Sequence, residues 1–146
     1  MKSNTLTVLS LLVVCAAAED NSIILESFET PHHTWEEMND PVMGGKSTGT
    51  FTIEGGLGKF QGEVVDVPFL HAPGFIQART STSERNFFPD VSKCTALQII
   101  AKSNTEYEGY RISFGKARAP GGKFYASGYK ADLKNVSTDD FEAVTI

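Results

Sequence analysis

Thr50-Phe51-Thr52-Ile53-Glu54-Gly55-Gly56-Leu57-Gly58-Lys59-Phe60-Gln61-Gly62-Glu63-Val64 decides the fold class. Phe51 and Ile53 point one way while Thr50, Thr52 and Glu54 point the other, the period of two that a strand with one buried face requires. Gly55-Gly56-Leu57-Gly58 turns the chain, and Phe60, Gly62 and Val64 resume the alternation. This is the pattern of a β-hairpin. Working outward, short apolar or alternating runs at 23–28, 75–80, 96–101, 110–114, 124–129 and 141–146 predict further strands. Asp66-Val67-Pro68 and His71-Ala72-Pro73-Gly74 punctuate a loop, Pro120-Gly121-Gly122 a turn, and Phe87-Phe88-Pro89 an apolar anchor inside the polar stretch 81–90. With no 3.6-residue periodicity among them, the expected fold is all-β, an antiparallel β-sandwich or jelly roll. The last run breaks off in mid-alternation at Ile146, so we expect a domain cut short of its last strands.

The 146 residues, 21% of them charged, suit one domain with a single core. Lys2, the apolar run 6–14 and Ala16-Ala17-Ala18 have the charge, length and small residues of a cleavable secretory signal. We therefore expect a signal peptide over 1–18, a single domain over 19–146, and a secretory or extracellular location. The run is shorter than the roughly 20 residues a spanning helix needs, so no integral membrane segment is expected after cleavage. A mitochondrial presequence is Arg-rich, and this segment has no Arg. Cleavage removes Cys15 and leaves Cys94 alone, either as a small buried side chain or as a thiol that pairs with another chain. Asn135-Val136-Ser137 fits the N-glycosylation pattern and suits the secretory route. The net charge of −5 comes without clustered cations, which argues against nucleic acid as a partner.

The densest stretch is Trp35-Glu36-Glu37-Met38-Asn39-Asp40-Pro41-Val42-Met43-Gly44-Gly45-Lys46-Ser47. Gly45-Lys46-Ser47-Thr48-Gly49 matches the G-x-S-x-G pattern of serine hydrolases, but that motif needs a strand before it and a helix after it. Here a turn precedes and a strand follows, and the last histidine is His71. Gly45-Lys46-Ser47 also mimics the end of a phosphate loop, with Asp40 where a glycine is required. His32 and His33 are adjacent and diverge on an extended chain, and His71 lacks partners at ligand spacing, so no metal site and no cofactor are expected. Glu36-Glu37 and Asp139-Asp140 read as solvated faces rather than a carboxylate pair across a cleft. Trp35, Tyr107, Tyr110, Tyr125 and Tyr129 suit either a sugar-stacking surface or the ends and flanks of a sandwich.

Trp35-x-x-x-Asn39-Asp40-Pro41-Val42-Met43-Gly44-Gly45-Lys46-Ser47 followed by Gly49-Thr50-Phe51 resembles the signature of the complex I intermediate-associated protein 30 domain, the NADH:ubiquinone oxidoreductase assembly-factor family. Gly56-x-Gly58-x-Phe60-x-Gly62, Gly74-Phe75, Tyr110-Arg111 and Phe141-Glu142-Ala143-Val144-Thr145-Ile146 agree with it. The resemblance implies a galactose-binding-like jelly roll and a non-enzymatic chaperone that binds assembly intermediates, with the mitochondrion as the alternative location. It also implies further strands beyond Ile146, and it supplies no catalytic residue.

On these grounds we expect no enzyme but a binding module for a protein client, with a secreted carbohydrate-binding module as the alternative. Pro41, Gly44 and Gly45 shape a turn, because proline fixes its own backbone and glycine allows angles or close approach that a side chain forbids. Trp35, Asn39, Asp40, Lys46 and Ser47 are the candidate binding residues, with Val42 and Met43 folding down beside Trp35 as apolar plugs.

Overall fold

The computed structural model describes residues 4–15, 22–40, 44–81, 88–118 and 125–146, of which 4, 6, 8–15, 114–118 and 125–129 are described by backbone alone. In chain order the strands are β1 (Asn4–Cys15), β2 (Ser22–Ser27), β3 (Trp35–Asn39), β4 (Thr48–Glu54), β5 (Leu57–Glu63), β6 (Asp66–Val67), β7 (Ala72–Pro73), β8 (Ile76–Thr80), β9 (Cys94–Ser103), β10 (Arg111–Arg118), β11 (Tyr125–Asp132) and β12 (Glu142–Thr145). The helical content of the described residues is one 3-10 turn, Pro68–Leu70. Among the described residues every pairing is antiparallel. The fold is all-β, as the alternation predicts.

One sheet runs β12-β9-β1-β5-β4, with β2 also paired to β1, and β3–β8, β6–β7 and β10–β11 form separate ribbons. The deciding hairpin is β4–β5, with Phe51 opposite Phe60. Its turn is tighter than expected: Leu57 and Gly58 already belong to β5, because Gly55 and Gly56 alone carry the positive φ (58° and 78°) that a two-residue hairpin turn demands.

Gly49 and Gly62 face each other across β4 and β5 and together make a flat floor. Ile76 of β8 rests on it, so close that a Cβ on Gly62 would stand 2.7 Å from its Cδ1 and one on Gly49 would stand 3.0 Å away. That is how the β3–β8 ribbon is laid over the hairpin. Phe28 uses the same device one step along, its ring lying 2.9 Å from where a Cβ on Gly58 would be. Phe28, Ile99, Ala101, Tyr110 and Leu133 make the buried core, with Trp35, Phe51, Ile112, Val136 and Val144 packed against it.

In the full chain the N-terminal region is part of the sheet. The apolar run read as a leader is β1, seated in the middle of the large sheet. Cys94 is not a lone thiol: it is disulfide-bonded, and the strand register sets Cys15 opposite it in a chain of two cysteines. The expectation of a solitary Cys94 followed from removing 1–18, and the full chain keeps both residues.

Candidate functional site

The signature stretch begins as a strand and only then turns. Trp35–Asn39 pairs with β8, from Trp35 opposite Thr80 to Asn39 opposite Ile76, although Trp-Glu-Glu-Met has no alternation to announce it. The partner strand, not a local pattern, holds this segment extended. After Asn39 the chain enters the corner, where Pro41, Val42 and Met43 lie outside the described residues. Gly44 has φ 81°, the left-handed region that glycine enters without strain.

Three polar residues of the corner, Asn39, Asp40 and Ser47, are engaged within the fold. Asn39 Oδ1 accepts the backbone N–H of Gly49 at 2.7 Å, tying the end of β3 to the start of β4. Asp40 is 8% exposed, and its carboxyl fills the space beside Gly45 and Gly74, where a Cβ would stand 2.4 Å from Cγ and 2.6 Å from Oδ2 respectively. Gly45 therefore serves close approach, as its sequence context suggests. Ser47 is 2% exposed. Its hydroxyl accepts the N–H of Val65 at 3.0 Å and donates to the C=O of Val65 at 3.3 Å. Strand β4 follows Ser47 at once, where the hydrolase motif would need a helix. Of the candidate binding set, Lys46 alone is exposed to solvent.

These contacts converge on one place, the base of the loop 65–74. Gly74 N–H donates to Val65 C=O at 3.0 Å, closing the loop, and Ser47 and Asp40 press on that closure from the other side. Within the loop, the β6–β7 pairing sets Asp66 opposite Pro73 and Val67 opposite Ala72, and Val67 is buried. Pro68–Leu70 then makes one 3-10 turn that ends on His71 in a left-handed conformation (φ 48°). Phe69 at the tip is 73% exposed and Leu70 46%. A shallow hollow of about 570 Å³ lies beside them, lined by Asp66, Val67, Pro68, His71, Ala72 and Pro73. The signature braces a loop, and the loop carries Phe69, the most exposed of the large apolar side chains among the described residues.

Sequence reading missed a second polar centre. Glu26 is 0% exposed and accepts four donors: the N–H of Ser27 (3.0 Å) and of His32 (2.9 Å) on Oε1, and His33 Nδ1 (2.9 Å) and Trp35 Nε1 (3.0 Å) on Oε2. The His33 ring stacks on Phe88 with centroids 4.1 Å apart, so the apolar anchor expected in 81–90 does pack inward through Phe88. A charged residue at the end of the run 23–28, followed within nine positions by two histidines and the one tryptophan, was the available signal.

Trp35 is fixed by this hub and by its ring contacts with Phe28 (5.5 Å) and Phe51 (5.3 Å). Tyr110 is buried, its hydroxyl 3.0 Å from Ser103 Oγ, with Tyr107 edge-on at 4.8 Å. Trp35 and Tyr110 thus serve the core, and the side chains of Tyr125 and Tyr129 are not described. Burial pushes the Tyr110 hydroxyl above its ordinary 10.0, with the Ser103 hydrogen bond acting the other way. Asn135 is exposed in a left-handed conformation (φ 56°). Among the described residues no three His, Cys, Asp or Glu side chains gather as a metal site.

The family model for complex I intermediate-associated protein 30 matches residues 26–146. The chain belongs to that family. No curated protein and no solved structure matches it. The complex I intermediate-associated protein 30 domain therefore starts at the Glu26 hub and contains the braced corner, the 65–74 loop and the core. Strand β1 lies outside the matched domain.

Proposed function

We propose that this protein is a non-enzymatic binding module that holds a protein client, in the manner of an assembly factor, through the tip of the 65–74 loop. The observation that carries this is the pairing of a rigid base with an apolar tip. Ser47, Asp40 and Gly74 hold the loop closed while Phe69 and Leu70 stay in solvent. Exposed large apolar groups on a preorganised loop suit a protein surface, because little chain entropy is lost when they dock. Membership of a family named for complex I intermediates supports the client being a polypeptide. The catalytic reading of Ser47 loses support from its burial and from the engagement of its hydroxyl with Val65.

Family membership points to a mitochondrial association, whereas residues 1–18 have the composition of a secretory leader. Affinity capture with the full chain as bait, run separately on mitochondrial and secretory fractions, tests the client and names the compartment. One polypeptide enriched over a bait-free control from either fraction is the expected result. Absence of enrichment from both contradicts the proposal, as does covalent labelling of Ser47 by a fluorophosphonate probe.

A further inference from the structure

The strand at the centre of the sheet is the segment with the composition of a leader. Along one edge β1 pairs with β9, from Leu6 opposite Ser103 to Cys15 opposite Cys94. Along its other edge it pairs first with β5, Asn4 to Val8 opposite Gly62 to Gly58, and then with β2, Ser10 to Val14 opposite Ser27 to Ser22. Thr5 is pinned at the rim, its N–H donating to Asn104 Oδ1 at 2.8 Å and its C=O accepting from Asn104 N–H at 3.0 Å. Within the described sheet, β1 is the strand that joins β9 and β12 to β4 and β5. Yet it lies outside the stretch that matches the family.

Removal of β1 would leave facing rows of unpaired backbone groups on β9 and on β5 and β2. The slot so opened is a dozen residues long, and along its β9 edge lie the buried core residues Ile99 and Ala101. Unpaired backbone groups beside a core are costly, and two facing edges accept an added strand. We propose that this space is a strand-acceptor slot, occupied by Asn4–Cys15 in the full chain and, once that segment is cut away, by an extended strand of the protein client. The occupant defines the chemistry of the guest: Asn4–Cys15 has no charged residue and is rich in Thr, Val and Leu, which suit a strand paired on both edges. This inference rests on the protein-client reading above and adds a second mode of engagement to it.

The test uses the full chain with a protease recognition sequence inserted between Ala18 and Glu19. The folded chain is nicked there and treated with dithiothreitol to open the Cys94 disulfide. It is then mixed with a fluorescein-labelled peptide of residues 4–15 carrying Cys15→Ser, with anisotropy as the readout. The nicked, reduced chain is expected to take up the peptide and the uncut chain to exclude it. A Leu11→Pro peptide, which lacks one ladder donor, should bind at least about tenfold more weakly. No uptake by the nicked chain, or equal uptake of the proline peptide, overturns the proposal. Should nicking and reduction abolish the β-sheet circular dichroism, the added peptide must restore it, and failure to do so overturns the slot as well. Peptide uptake without capture of any client would leave the slot standing and remove the client reading. Equal client capture by the uncut, disulfide-closed chain would do the reverse.

Discussion

At the scale of single residues, the buried polar groups decide what the signature does. Glu26 is the acceptor for four donors in the core's shadow, and truncation would strand all of them. Glu26→Ala should therefore destabilise the fold by about 3–5 kcal/mol, the range for breaking a buried charged network from one side. Urea unfolding followed by the emission of Trp35, the one tryptophan, checks it, and a loss below about 1 kcal/mol would show the network to be incidental. Tyr110 supplies a pH signature. Its folded pKa lies above 10.0 because burial favours the neutral hydroxyl, so its stabilising contribution is complete below 10.0 and disappears as pH rises through the folded value. Stability should fall more steeply above pH 10 in the parent chain than in Tyr110→Phe, as thermal melts across that range would report. Asn39, Asp40 and Ser47 were legible as a special cluster but not as an internal one. Sequence spacing shows that polar residues gather, while the partners that absorb them, Gly49, Gly74 and Val65, come from segments whose approach depends on the fold.

At the scale of elements, much of the sheet could be read directly. The hairpin at Thr48–Glu54 and Leu57–Glu63 follows from alternation and from Gly55-Gly56, and β2, β8, β9 and β12 fall where apolar runs predicted them. Trp35–Asn39 could not be read as a strand, because its extended form is imposed by β8 rather than by its own pattern. Nor could β1, since an apolar run bounded by small residues satisfies the requirements of a leader and of a central strand alike. The glycines of the hairpin carry the layering. A Cβ on Gly62 would meet Thr48 C=O at 2.4 Å and Gly49 Cα at 2.6 Å, backbone atoms that have no room to yield. Gly62→Ala should cost about 2–3 kcal/mol, more than an ordinary Gly-to-Ala change within a strand, because it overpacks the site where the β3–β8 ribbon rests. Chemical denaturation would show it. An unchanged midpoint would mean that Ile76 does not depend on the glycine floor.

At the scale of the whole molecule, the hub, the core and the corner serve one arrangement: a β-domain that holds an apolar loop tip clear of its own surface. The chain belongs to the complex I intermediate-associated protein 30 family, and the engagement of Ser47 and Asp40 in the fold leaves Lys46 and the loop tip exposed. Phe69 and Leu70 lie at the end of the loop, so replacing them should spare the fold. The most direct measurement is quantitative affinity capture comparing the parent chain with Phe69→Ser/Leu70→Ser, each shown by circular dichroism and Trp35 emission to be folded. Loss of the enriched polypeptide by about tenfold or more in the double variant, the scale of a hot spot worth roughly 1.4 kcal/mol or more, is the predicted result. Undiminished capture by a folded double variant would contradict the assignment of the loop tip as the client-binding surface.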